Sequence, residues 1–253
     1  GSDGLRGPFA HVPAGAHETQ RVELGDGPMV VRADLIELGA GAQLDRIVIQ
    51  RGDGICLAQA RVRMAEGARF RQFSLAEGGR LARLETRIEA HGPACEITMD
   101  GLYMVDADRH ADLTSVVEAA APRTTARQLV KGVARAGGRG VFQGRIVVAR
   151  PAQKTDARQY HHALLLEEGA QIDAKPELEI YADDVACAHG NTAGALDPAA
   201  LFYLRARGLP LAQAQAMLTA AFLREALPEW LTAAEEAELT GQIGRWLGAG
   251  YEL

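Results

Sequence analysis

Short runs of strict apolar–polar alternation dominate the chain between about residues 21 and 195. Leu84, Thr86, Ile88 and Ala90 alternate with Arg83, Glu85, Arg87 and Glu89. Cys95, Ile97 and Met99 alternate with Glu96, Thr98 and Asp100, and Leu178, Ile180 and Ala182 alternate with Glu177, Glu179 and Tyr181. Successive strand side chains point to opposite faces, so each run buries one face and wets the other. Few helical patterns separate these runs, which disfavours repeated βαβ units. Only 5% of residues are aromatic, so Val, Ile, Leu, Ala and Met must fill the interior.

A short motif recurs at the breaks between runs. Leu38-Gly39-Ala40-Gly41-Ala42-Gln43-Leu44 is echoed by Met64 to Phe70, by Leu75 to Leu81 and by Leu166 to Ile172. The form is apolar, two residues, Gly, small, polar, apolar. Glycine adopts positive φ at a tight corner, and the flanking apolar residues turn inward. Such corners predict a mainly β chain whose core, residues 21–195, is a parallel β-helix stacking strand on strand. The spacings are irregular, so a β-sandwich is the alternative. Residues 1–20, rich in Gly, Pro and His, read as a loose entry segment. The leading Gly1-Ser2 reads as a tag-cleavage scar, and with it the chain as a shortened form of a longer protein.

The period changes near residue 196, and residues 196–253 read as a small helical domain. Asp197-Pro198 predicts an N-cap with proline in the first turn, and Gly208 a stop. A second helix is expected over 210–227, with Ala214, Met217, Leu218, Ala221 and Phe222 on one face. Thr232 and Glu235 form a capping-box signature for a third, with Leu239, Ile243, Trp246 and Leu247 as its stripe. Such helices could close an end of the solenoid. They carry more apolar surface than closure needs, which points to a docked partner.

Composition narrows the function. The net charge is −6 with no block of like charge, which argues against nucleic acid or an anionic membrane as partner. No apolar run reaches the about 18 residues of a membrane span. Cys56, Cys95 and Cys187 are scattered and odd in number, which suits a reducing cytoplasm better than a disulfide framework. No phosphate loop, nucleophile elbow, zincin motif or dinucleotide fingerprint is present. The one dense polar cluster is Asp183 to Asn191. Within it Cys187 and His189 are two apart, so on a strand they share a face and could bind zinc or iron. Two ligands do not close a site, and an iron–sulfur cluster wants about four. His161, 28 residues before His189, is the candidate third ligand if one coil separates them. A buried thiol and hydrogen-bonded histidines are the structural alternative.

Here the sequence resembles a known family. Lys154-Thr155-Asp156-Ala157-Arg158-Gln159 with Leu164-Leu165-Leu166 is similar to a segment of the SufB/SufD iron–sulfur cluster assembly proteins. Pro176 to Val185, Cys187 to Thr192, Leu196-Asp197 and Leu201 to Leu209 continue the likeness, which is dense from about 150 to 225. The SufB branch has His-Glu where this chain has His189-Gly190, and a Cys near His161, so the chain looks like the SufD branch. It departs from the family's usual residues at Ala188 and Asn191, and lacks the helical N-terminal region that SufD chains normally carry. The resemblance implies a right-handed parallel β-helix with a C-terminal helical domain, acting as a cytoplasmic, non-catalytic scaffold. It implies pairing with a SufB-like subunit through the β-helix, with an iron–sulfur cluster shared at that interface through His189 and Cys187. It implies a SufC-like ATPase docked on the helices, around Leu201, Phe202, Leu204, Arg207, Met217, Ala221 and Phe222. A homodimer in isolation is compatible with this. A β-helix carbohydrate-active enzyme and a self-associating structural protein are the alternatives.

Overall fold

A computed structural model describes residues 8–25 and 27–248; Gly1-Ser2 lies outside them. Fourteen strands form two seven-stranded parallel sheets. Sheet A takes the odd strands: β1 (Phe9–Val12), β3 (Met29–Leu38), β5 (Ile55–Met64), β7 (Leu81–Ala90), β9 (His110–Ala119), β11 (Arg139–Val148) and β13 (Gln171–Ile180). Sheet B takes the even ones: β2 (His17–Leu24), β4 (Gln43–Gln50), β6 (Arg69–Ala76), β8 (Glu96–Val105), β10 (Thr125–Ala134), β12 (Asp156–Leu165) and β14 (Ala186–Gly194). Consecutive strands sit on opposite walls, and each pairs with the strand two along the chain. This is a parallel β-solenoid. The segment expected to be loose before residue 21 holds β1 and the start of β2, because their backbones pair with β3 and β4.

The coils lengthen along the chain. Arg46 stacks on Gln72 at a separation of 26 residues, and Gln128 on Gln159 at 31. The corners absorb the difference while the ladders stay in register. At the corner from sheet A to sheet B, each of the first six coils holds a residue in the left-handed region: Gly15, Gly41, Gly67, Ala94, Arg123 and Lys154. Each gives its N–H to a carbonyl of the next coil, as in Gly41 to Glu66 (2.8 Å), Ala94 to Pro122 (2.9 Å) and Lys154 to Asp184 (2.7 Å). The corner therefore persists after glycine is lost, held by its stacked neighbours against an intrinsic cost of roughly 1–2 kcal/mol per residue.

In sheet A, β7 alternates cleanly, and outer charges ladder across strands, as Arg63 with Glu37 and Glu89. Sheet B differs, because β4, β6 and β8 are apolar on both faces. Their outer residues Ile47, Ile49, Phe73, Leu75, Leu102 and Met104 form a second core. Onto it pack α2 (Leu211–Arg224) and α3 (Ala233–Leu247), joined to the solenoid through α1 (Pro198–Ala206). The helices thus cover a flank and do not close the solenoid end. Asp197 caps α1 through Ala199 N–H, and Thr232 and Glu235 complete the capping box of α3. The buried face of α2 is Ala216, Thr219, Ala220 and Leu223, with Ala214. The face expected from spacing included Met217 and Ala221, which are exposed. Small residues let α2 lie close to the sheet, and the bulkier side turns to solvent. Lys131 and Glu225 pin its end in an ion pair.

Glycine serves a second purpose inside. A Cβ on Gly132 would lie 1.8 Å from the ring of Tyr103, which passes this coil within the lumen. A Cβ on Gly67 would meet nothing closer than 4.0 Å, so its constraint is the backbone alone. In urea denaturation, Gly67→Ala is expected to lose about 1 kcal/mol and Gly132→Ala about 3 kcal/mol through overpacking. Equal losses would contradict this division of roles.

Candidate functional site at the open end of the solenoid

β13 and β14 are the last strands of their sheets, and each leaves one edge unpaired. On β14 the odd-numbered side chains continue the inward positions of β12, and register fixes what each stands on. Cys187 tops an apolar column of Ala157, Ala126, Ile97 and Phe70. His189 tops a polar one of Gln159, Gln128, Met99, Gln72 and Arg46. Asn191 tops His161, Val130, Gly101 and Ser74. The shared face expected for Cys187 and His189 is thus the inner face of the last coil, with no further coil above it.

The columns set the chemistry. Cys187 is half-buried against the apolar core. Burial holds its thiol above the usual range, with the charge of Asp156 adding to the effect. It is therefore a protonated thiol near neutral pH, and a metal ion would have to displace the proton. His189 is exposed. His161 is fully buried and stacked on Phe142, with ring centres 4.8 Å apart. Its Nε2 meets the Tyr103 hydroxyl at 2.9 Å and its Nδ1 the Asn191 Oδ1 at 2.7 Å. With both nitrogens engaged in the core, His161 has no free lone pair for a ligand. It stands under Asn191, not His189, because the coil step here is 30 residues and not 28. Among the described residues no three His, Cys, Asp or Glu side chains converge as a metal site. Cys187 and His189 can supply two ligands on an open face, and further ligands must come from outside.

The expected docking residues divide. Nothing on α1 is buried. Phe202 is 74% and Tyr203 56% exposed. Arg207 is exposed and lies over the Tyr203 ring. Leu201 and Leu204 are half-buried, while Met217 and Ala221 face solvent. Phe222 is half-buried, with the Lys131 ammonium 4.3 Å from its ring centre. The sequence assigns no site role to Tyr203, Gln159 or Asn191, although Gln159 and Asn191 lie within the family motifs. A 30-residue coil step would have paired Gln159 with His189.

The adjacent Asp183 and Asp184 do not form an acid–base pair. Asp183 and Asp184 lie in the corner before β14, where Asp184 pairs with Lys154. Asp100 is pushed up to about 7 by burial, and its bonded partner is the Leu129 N–H. No groove of paired carboxylates is present among the described residues, so the carbohydrate-enzyme alternative gains no support.

Burial lowers the His161 pKa to about 4. A folded value below the unfolded one of 6.5 means that the unfolded chain binds the proton first. Stability is then complete above the unfolded value and falls as pH drops toward 4, by up to about 1.4 kcal/mol per unit. Urea midpoints at the two ends of this window should show that loss, and His161→Gln should reduce it. An unchanged slope in the variant would show that other groups carry the dependence.

Comparison with known proteins shows the family. The family model for the SUF system FeS cluster assembly, SufBD core domain, matches residues 19–222. The iron–sulfur cluster assembly protein SufD of Escherichia coli is 35% identical over 187 residues, covering 74% of this chain and 44% of that protein. A SufBD family protein of Synechocystis is 32% identical over 196 residues, covering 77% and 43%. A chloroplastic protein of Arabidopsis thaliana is 34% identical over 170 residues, covering 67% and 36%. The chain thus spans less than half the length of these relatives. The core match takes in both sheets and the solenoid's open end, and the chain belongs to the SufB/SufD family of SUF iron–sulfur cluster assembly proteins, on its SufD branch.

Proposed function

We propose that this chain is a non-catalytic scaffold subunit of a cytoplasmic iron–sulfur cluster assembly complex. In this reading its open solenoid end pairs with the β-helix of a SufB-like subunit. The observation that carries it is the inner row of β14. Cys187, His189 and Asn191 stand on a packed lumen at an unpaired end. A second solenoid stacked there would bury the row and bring its own ligands to the two this chain offers. The nascent cluster is cargo at that seam. His189 would be this chain's main ligand, and Cys187 a second after losing its proton.

The helices give the reading its other partner. α1 projects Phe202 and Tyr203, two large apolar side chains held by a helix that buries none of its own residues. Exposed aromatics beside an arginine are the composition of an interface core. We assign this surface, with the solvent side of α2, to a SufC-like ATPase. α2 packs on the flank of sheet B, apart from the inner row of β14.

Two substitutions separate the surfaces. In size-exclusion co-elution, Phe202→Asp should abolish binding of the SufC-like ATPase and leave the SufB-like pairing intact. His189→Ala should leave both associations intact and lower cluster yield on the reconstituted complex by roughly tenfold or more. Failure of the unmutated chain to bind either partner would count against the scaffold role, as would cluster yield unaffected by His189→Ala.

A further inference from the structure

The polar column beneath His189 ends in an unmatched acceptor. Gln159 is fully buried, and its Oε1 has no hydrogen-bond partner. A buried amide oxygen left in this state costs about 1–3 kcal/mol. The amide is bonded from below. Its Nε2 donates to Gln128 Oε1 at 2.9 Å, and Ser115 Oγ donates to the same oxygen at 3.0 Å. Turning the amide over would set two carbonyl oxygens against each other. Gly144, across the lumen, leaves the space that the Nε2 end occupies, since a Cβ there would lie 2.1 Å from it. Oε1 is the end of the amide left without a partner, and the next side chain of the column is His189, the in-register partner of Gln159.

Neighbours in this column already bond to one another: Gln20 with Arg46, Arg46 with Gln72, and Gln128 with Gln159. We propose that Gln159 is the positioning residue of His189: its free carbonyl oxygen takes one ring N–H and leaves the other nitrogen bare and directed out of the open end. A metal-binding imidazole needs this arrangement, because an acceptor behind the ring fixes the tautomer and raises the basicity of the ligating nitrogen. The inference deepens the proposed role of His189 as a cluster ligand and rests on that reading for its purpose, though not for its test.

The test is the tautomer of His189 in the metal-free chain, read from the ring nitrogen-15 shifts at about pH 8. His189→Gln assigns the signals. The unmutated chain should show one protonated and one bare nitrogen. In Gln159→Met the two signals should move toward each other as the tautomers exchange. Gln128→Met, which frees the Gln159 amide to turn, should do the same in part, and it serves if Gln159→Met does not fold. His161, bonded on both sides, reports through unchanged signals that the lumen is intact. A His189 tautomer that is unfixed in the unmutated chain, or fixed equally in both variants, would overturn the proposal. Because no metal is present, failure of the cluster-ligand reading would leave this result untouched, and it would show separately as unchanged assembly in His189→Ala.

Discussion

The in-register parallel ladder governs everything else in this molecule. Once Gln43 lies beside Arg69 and Arg69 beside Glu96, every inward side chain rests on the one a coil earlier. The interior becomes a set of columns and not a mixed core. Columns of like residues are tolerated where neighbours satisfy one another. Phe70, Ile97, Ala126 and Ala157 pack as an apolar stack, while Arg46, Gln72, Gln128 and Gln159 bond along or across theirs. Arg46 illustrates the cost. Burial lowers its pKa to about 10, yet it stays charged at neutral pH because Asp34 and two glutamines receive its donors. Buried charge survives in a protein only with that degree of pairing.

The same ladder produces the site. A solenoid must end, and its last coil shows inner side chains that would be buried in any other coil. β14 carries its inner row there without a covering element, since the helices pack on the flank of sheet B. An uncovered strand edge is normally an aggregation liability. Here it is also the place where Cys187, His189 and Asn191 acquire contrasting surroundings from the columns below them. The two surfaces of the scaffold proposal, the end and the flank, follow from where the helices went.

Much of this was legible in the residues. Alternation in Leu84 to Ala90 marked a wall with one wet face, and the glycine corners at Gly41 and Gly67 marked coil boundaries. At this corner the glycine signal stops after Gly67, because Ala94, Arg123 and Lys154 hold the same backbone shape by stacking; the echoes at Gly78 and Gly169 fall at the other corner of the coil. Ile47-Val48-Ile49 is buried on both faces, which alternation does not describe, so the second core under α2 and α3 went unseen. The helices' flank position was hidden for the same reason. In the site, the shared face of Cys187 and His189 followed from strand geometry alone. The place of His161 did not, because a two-residue error in coil length moves a side chain to the next column. Gln159 closes a family motif, but its place beneath His189 needs the register.

Hydrogen exchange of the chain with and without a SufB-like subunit tests the central claim most directly. The account predicts that amides of β14, and of β13 beside it, exchange fast in the free chain and become protected in the complex, while the opposite end at β1 and β2 stays unchanged. Protection confined to the outer face of sheet A or to β1 and β2, with β14 unaffected, would contradict an interface built on the open last coil.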